Sequence, residues 1–111
     1  MIVLFREKSL AKECNEFRLL VKKRGKPQAN KIRQRLDEID AAENLDDLGK
    51  VHPRLHELSK NLDGTLSLDL VGQWRLLFLP ADNPPALKLD GGIDWKNVRT
   101  IEIIGIRDTH E

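Results

Sequence analysis

The chain has one cysteine and no tyrosine, and aromatic residues make up only 5% of its 111 residues. A single cysteine excludes an intramolecular disulfide, and without a Cys/His cluster at ligand spacing no structural zinc site is expected. No window approaches the run of about 18 apolar residues that a membrane helix needs. The opening "MIVLF" is too short for a secretion signal. These absences predict a cytoplasmic protein with no membrane association, no metal and no cofactor.

The chain also lacks a strong net charge, because 19 Lys and Arg residues nearly balance 18 Asp and Glu residues. Whole-molecule charge therefore does not indicate a polyanionic partner, and any basic site must be local. The sequence contains no phosphate-binding glycine loop, no G-x-S-x-G and no supported pair of carboxylates, which excludes those enzyme classes. The length predicts a single domain spanning residues 1–111.

Apolar residues at helical spacing predict two helices separated by Gly25, with Pro27 near the start of the second. So short a connection predicts an antiparallel hairpin that covers one face of a sheet. Cys14 lies on the apolar stripe of the first helix and is interpreted as a buried small side chain rather than a nucleophile. The two stripes are Leu10, Cys14, Phe17 and Val21, and Ala29, Ile32, Leu36 and Ile39.

Five short apolar or alternating segments predict strands, and a helical turn capped by Asn44 follows the hairpin. The order of elements is then β-α-α-β-β-β-β. The segment at 80–96 is rich in Pro, Gly, Asp and Asn and predicts a long loop. The strand candidates are "IVLF" at 2–5, "RLHEL" at 54–58, "TLSLDLV" at 65–71, "WRLLFLP" at 74–80 and "RTIEIIGI" at 99–106.

A register argument singles out Arg75. Pairing Leu70 with Trp74 buries the alternating apolar residues of both middle strands on one face and sets Asp69 opposite Arg75 on the other. A guanidinium on a central strand needs a partner or an open concavity, because an isolated buried charge is too costly. Arg75 is therefore a candidate site residue, and a purely structural pair with Asp69 is the alternative.

Every formal charge between residues 18 and 35 is positive, and the stretch that follows is acidic. Such a cluster can bind phosphates or an acidic protein segment, and two solvated helix faces are the alternative. No aromatic residues are interleaved, so base stacking is not indicated, and Trp74 and Trp95 are interpreted as core or loop anchors. The cations are Arg18, Lys22, Lys23, Arg24, Lys26, Lys31, Arg33 and Arg35.

Three imidazoles remain to be explained, those of His52, His56 and His110. A lone strand histidine is usually structural, so none of them establishes a site by itself. His110 lies in the closing stretch "IRDTHE", which places an acid, a hydroxyl and an imidazole together where most chains fray.

Taken together, "LHEL", then "LSLDLVGQWRLLF", then "RDTHE" resembles the RelE/ParE toxin superfamily, specifically its HigB-like plasmid-maintenance killer branch. The pattern of that branch runs L-H-P-L-K-G, W-R-(L/I)-x-F and D-Y-H. The resemblance implies an α+β fold in which an N-terminal strand and an antiparallel helical hairpin pack on a small twisted antiparallel sheet. It also implies a type II toxin: a ribosome-dependent mRNA endoribonuclease in which the ribose 2′-OH attacks the adjacent phosphate.

Carried over position by position, the resemblance gives four catalytic residues: His56, Arg75, Asp108 and His110. Imidazoles suit proton transfer near neutral pH, and a guanidinium suits the charged phosphorane. The resemblance also implies a helix-turn-helix antitoxin partner, with operator DNA contacted only through it, and the ribosome and mRNA as further partners. The cations expected to bind RNA are Lys22, Lys23, Arg24, Lys26, Lys31, Arg33 and Lys60.

Two positions depart from the family pattern. The lysine of L-K-G is Ser59 here, with Lys60 one place along, and the tyrosine of D-Y-H is Thr109. A threonine neither stacks on a base nor supplies a phenolic proton. These departures favour the alternative of a noncatalytic binding module on the same fold, either a decayed toxin or a partner-binding subunit of an antitoxin complex.

Overall fold

The computed structural model describes residues 1–58 and 64–108, which form an α+β fold. The predicted order of elements is confirmed, with the first helix in two pieces and the capped turn as a fourth helix. A 3-10 turn, Trp95–Asn97, precedes the last strand. The elements are β1 (Ile2–Phe5), α1 (Lys8–Asn15), α2 (Phe17–Arg24), α3 (Lys26–Ala41), α4 (Leu45–Val51), β2 (His56–Glu57), β3 (Leu66–Asp69), β4 (Trp74–Pro80) and β5 (Thr100–Asp108).

The five strands form one sheet in the order β1-β5-β4-β3-β2. Strands β2 to β5 pair antiparallel, as expected, whereas β1, at the edge opposite β2, pairs parallel with β5. The predicted register of the middle pair is confirmed: Asp69 lies opposite Arg75, and the Leu70 amide donates to the Trp74 carbonyl at 2.9 Å.

The prediction of one continuous first helix is wrong, because Glu16 has an extended backbone (φ −125°, ψ 98°) between α1 and α2. This interruption shifts the helical phase, so Leu20 enters the core and Phe17 stays 40% exposed. Gly25 has φ +83°, a conformation that favours glycine, and there the chain turns into α3.

The core lies between the helices and one face of the sheet. Phe78 of β4 and Ile103 of β5 are fully buried there against Ile32 of α3. The Asn44 side chain caps α4 as predicted, accepting from the Asp47 amide at 2.9 Å. Within residues 1–58 and 64–108, no helix is both long and apolar enough to cross a membrane.

Candidate functional site

The face of the sheet that the helices leave uncovered carries two neighbouring rows of side chains. Residues directly opposite each other in an antiparallel pair share a face. One row runs Asp69, Arg75, Arg107 across β3, β4 and β5. The next row begins with His56 on β2, opposite Ser67 of β3. Strand spacing and rise put the Cα atoms of His56 and Arg75 roughly 12 Å apart. Ser67 and Leu77 lie between them on the same face, and both are buried.

Arg75 is held in place by three neighbours. Its Nε lies 3.0 Å from Asp69 Oδ1, and its Nη1 donates to the carbonyls of Gly72 at 3.1 Å and Trp74 at 2.8 Å. The side chain is 18% exposed. Among the described residues, none accepts a hydrogen bond from Nη2. The guanidinium is thus fixed through Nε and Nη1, with Nη2 as the edge that a ligand can use.

Asp69 joins two guanidinium groups. Its Oδ2 accepts from Arg54 Nε at 2.5 Å while Oδ1 faces Arg75, and its backbone carbonyl accepts from Arg35 Nε at 2.8 Å. With Arg107 across from Arg75, this part of the face carries three guanidinium groups and one carboxylate. The resulting positive potential suits a phosphate.

The ring orientation of His56 fixes its tautomer. Nδ1 lies 2.7 Å from the Arg54 carbonyl, and because a carbonyl oxygen can only accept, Nδ1 carries the proton. In the neutral ring Nε2 then bears the lone pair, and the side chain is exposed to solvent. This neutral tautomer is one that can take up a proton at Nε2.

His52, by contrast, has a structural partner. Its Nε2 lies 2.8 Å from Glu38 Oε2, and Glu38 Oε1 accepts from Arg35 Nη1 at 2.9 Å. Through Arg35, this network connects α3 and α4 to the Asp69 carbonyl.

The four expected catalytic residues do not all lie on one described face. Asp108 pairs with Trp74 at the end of β5, on the helix side of the sheet, and therefore on the face opposite Arg75. His110 and Lys60 lie outside the described residues, as do Ser59 and Thr109.

The cations of α2 and α3 fall into two groups, exposed lysines and side chains that pair within the chain. Lys22, Lys23 and Lys26 are exposed around the turn between α2 and α3. Arg24 forms an ion pair with the buried Glu13. Arg33 pairs with Asp37 at 3.2 Å and donates to the Cys14 carbonyl at 3.0 Å, and Lys31 donates to Gln34 at 3.2 Å. The three lysines are the cations best placed for an external phosphate.

Cys14 is buried, as predicted. Burial, helped by the neighbouring Glu13 charge, raises the pKa of its thiol to about 11. The protonated thiol is a poor nucleophile, so Cys14 takes no part in the site.

Sequence reasoning missed Arg54 and Arg107. Alternation in the last strand could not find Arg107, because it would place this residue on the buried face of Ile101 and Ile103. The register shift opposite Leu77 and Phe78 moves Arg107 to the face of Arg75. The last strand was predicted to end at Ile106, whereas β5 continues to Asp108.

The chain matches a known protein family. Residues 5–89 match the HigB-like toxin family, described as the RelE-like toxin of the type II toxin-antitoxin system HigB. No curated protein matches the chain. The match begins at the last residue of β1, continues through β4 and includes every described residue named on the face above except Arg107. The chain therefore belongs to the HigB-like family of RelE-type toxins, whose partner in a type II system is an antitoxin.

Proposed function

We propose that this toxin is an mRNA endoribonuclease that acts on the translating ribosome in the cytoplasm. The observation that carries the proposal is the placement of His56, Arg75 and Arg107 on the one sheet face that the helices leave open. A base with a solvent-facing lone pair beside fixed guanidinium groups is the arrangement that attack on a phosphodiester requires.

In the proposed reaction, Nε2 of His56 takes the proton of a ribose 2′-OH as its oxygen attacks the adjacent phosphorus. Arg75 and Arg107 hold the non-bridging oxygens through the phosphorane. The bond to the 5′-oxygen breaks, and His110 supplies the proton that this oxygen takes up. The products are a 2′,3′-cyclic phosphate and a 5′-hydroxyl. Because Asp108 ends β5 on the other face, we assign it the role of orienting His110 rather than contacting the phosphate.

We also propose which residues bind RNA and what kind of protein the antitoxin is. Lys22, Lys23 and Lys26, with Lys31 and Lys60, would neutralise phosphates of ribosomal RNA. Arg24 and Arg33 reach RNA only at the cost of their ion pairs. The antitoxin is proposed to be a helix-turn-helix protein through which the complex contacts operator DNA.

A second candidate is favoured by Thr109 and Ser59, which replace the family's tyrosine and lysine. It is a noncatalytic binding module that keeps the RelE fold and binds the antitoxin without cleaving RNA. The two candidates differ in one measurable property, the cleavage of mRNA by the wild-type chain.

Primer extension on mRNA from translating ribosomes tests the proposal. We expect wild type to cleave, and His56→Gln or Arg75→Gln to slow cleavage by about 100-fold or more, because each change removes a group that acts in the transition state. His52→Gln is the matched control, since this imidazole lies in the Glu38 network, and it should retain cleavage.

Wild-type cleavage that survives both changes would remove the site assignment. Failure of wild type to cleave, together with tight binding of the antitoxin, would establish the binding module instead. Circular dichroism of each variant verifies that the fold is intact.

A further inference from the structure

Trp74 lies in an open groove at the end of the sheet. The groove has a volume of about 450 Å³ and lies between the α2–α3 turn and the β3–β4 turn, with Pro27, Gln28, Val71 and Asp108 among its walls. Trp74 is 39% exposed and Val71 41% exposed. Trp74 and Val71 therefore present neighbouring apolar surface to solvent in this groove, which is surface that a flat ligand can cover.

The groove has fixed walls. The Gln28 amide bonds the Val71 backbone in both directions, accepting from its N–H at 2.8 Å and donating to its carbonyl at 3.4 Å. This pair ties the β3–β4 turn to α3. The same turn supplies the Gly72 and Trp74 carbonyls that hold Arg75. The turn that holds the Arg75 guanidinium thus also borders the Trp74 indole, which lies on the opposite face of β4.

Charge distribution decides between possible occupants. Exposed Lys22, Lys23 and Lys26 surround the α2–α3 turn at the rim, which favours a partner carrying phosphates. Inside the groove, Asp108 and Arg24, which is paired with Glu13, place one charge of each sign on the walls, so the walls do not attract a further phosphate. A polyanion with flat rings satisfies both conditions when its phosphates stay at the rim and one ring enters to cover Trp74.

We propose that this groove is a stacking subsite for one unpaired nucleobase of the mRNA. The base lies on Trp74 while the strand passes over the end of the sheet, so that the neighbouring phosphate reaches Arg75. The subsite rests on the proposed nuclease function and defines how that enzyme positions its substrate. Because every base has a π face, the stacking tolerates any sequence.

The test uses the fluorescence of Trp74 in the full chain carrying Trp95→Phe. Trp95 packs against Gly49 of α4 and the core, away from the groove, so this change leaves Trp74 as the only indole. The probe is a 2′-O-methyl hexanucleotide, which cannot be cleaved because its 2′-oxygen is blocked. An abasic strand of the same length and an acidic peptide of the same charge are the matched ligands.

We expect the hexanucleotide to quench Trp74 emission, and Trp74→Leu to weaken its binding by about 5- to 100-fold. Binding of the Trp74→Leu variant is followed by a label on the RNA. Trp74→Phe keeps an aromatic ring and should retain most of the wild-type affinity. A loss of stability alone would not explain this difference between the Phe and Leu variants. Lys22→Ala should weaken the hexanucleotide and the abasic strand equally.

Equal affinity of wild type and Trp74→Leu for the hexanucleotide would overturn the subsite, as would quenching by the acidic peptide alone, which would assign the groove to a protein partner. These binding results are independent of cleavage. If wild type cleaves mRNA and Trp74→Leu binds with unchanged affinity, the stacking subsite is ruled out and the nuclease function stands. If wild type binds the hexanucleotide but never cleaves mRNA, the nuclease function is ruled out.

Discussion

At the scale of single residues, Asp69 determines where Arg75 points. One carboxylate shared by Arg54 and Arg75 keeps two like charges close together on the open face. The sequence allowed two interpretations of Arg75, a structural pair or a site residue. The structure shows the pair with Asp69, and this pair fixes the guanidinium in the place where the proposed phosphate would bind.

The burial of Cys14 predicts how the free energy of unfolding changes with pH. Its pKa of about 11 in the folded chain lies above the ordinary value of 9.0, so the unfolded chain loses this proton first as the pH rises. The stabilising contribution is complete below about pH 9 and is lost between pH 9 and 11. Urea unfolding at pH 7 and pH 10 should show a larger alkaline loss for wild type than for Cys14→Ala.

The same burial should protect the thiol from reagents. We expect a maleimide to label the folded chain at pH 8 far more slowly than the chain in denaturant. Equal labelling rates in the two states would show that Cys14 is accessible.

At the scale of elements, the break between α1 and α2 is secured by charge. Glu13 at the end of α1 is 6% exposed and pairs with Arg24 in the last turn of α2. The first helical stripe was predicted from spacing alone, which treats the helix as uninterrupted. An internal ion pair across a bend leaves no trace in apolar periodicity, so the break could not be predicted that way.

We expect Arg24→Ala to destabilise the fold by about 3 kcal/mol, because it leaves a buried carboxylate without its cation. Lys23→Ala, one position earlier on α2 and exposed, is the matched control and should change the free energy of unfolding by less than about 0.5 kcal/mol. Thermal and urea unfolding of both variants measure the difference. Similar losses would show that Glu13 does not depend on Arg24.

At the scale of the whole molecule, charge is segregated although the net charge is +1. The exposed lysines lie at the end of α2 and the start of α3, and the acidic residues of α3 lie toward its other end and continue into α4. Association with ribosomal RNA should therefore weaken with salt in proportion to the lysines in contact.

Replacing Lys22, Lys23 and Lys26 together by Ala should reduce the slope of log affinity against log salt by about 2 to 3. Lys88 and Lys96, exposed in and just after the long loop, are the control pair and should leave the slope unchanged. Filter binding to ribosomal RNA over a salt series measures both. An unchanged slope for the triple variant would show that these lysines form a solvated helix face and do not contact RNA.

The order of elements and the middle register followed from periodicity and alternation, because local pattern controls both. The partner of β1 did not, since nothing in "IVLF" indicates which strand it will join or in which direction. The site could be predicted only in part for the same reason: Arg107 shares a face with Arg75 through a pairing between distant segments.

The parallel pairing of β1 with β5 has a consequence for the order of events during synthesis. Ile2 of β1 lies beside Thr100 of β5, so the sheet cannot close until β5 has left the ribosome that makes it. Arg107, which completes the open face, lies on that same late strand. A chain whose synthesis has not yet reached β5 therefore has neither the closed sheet nor the complete face.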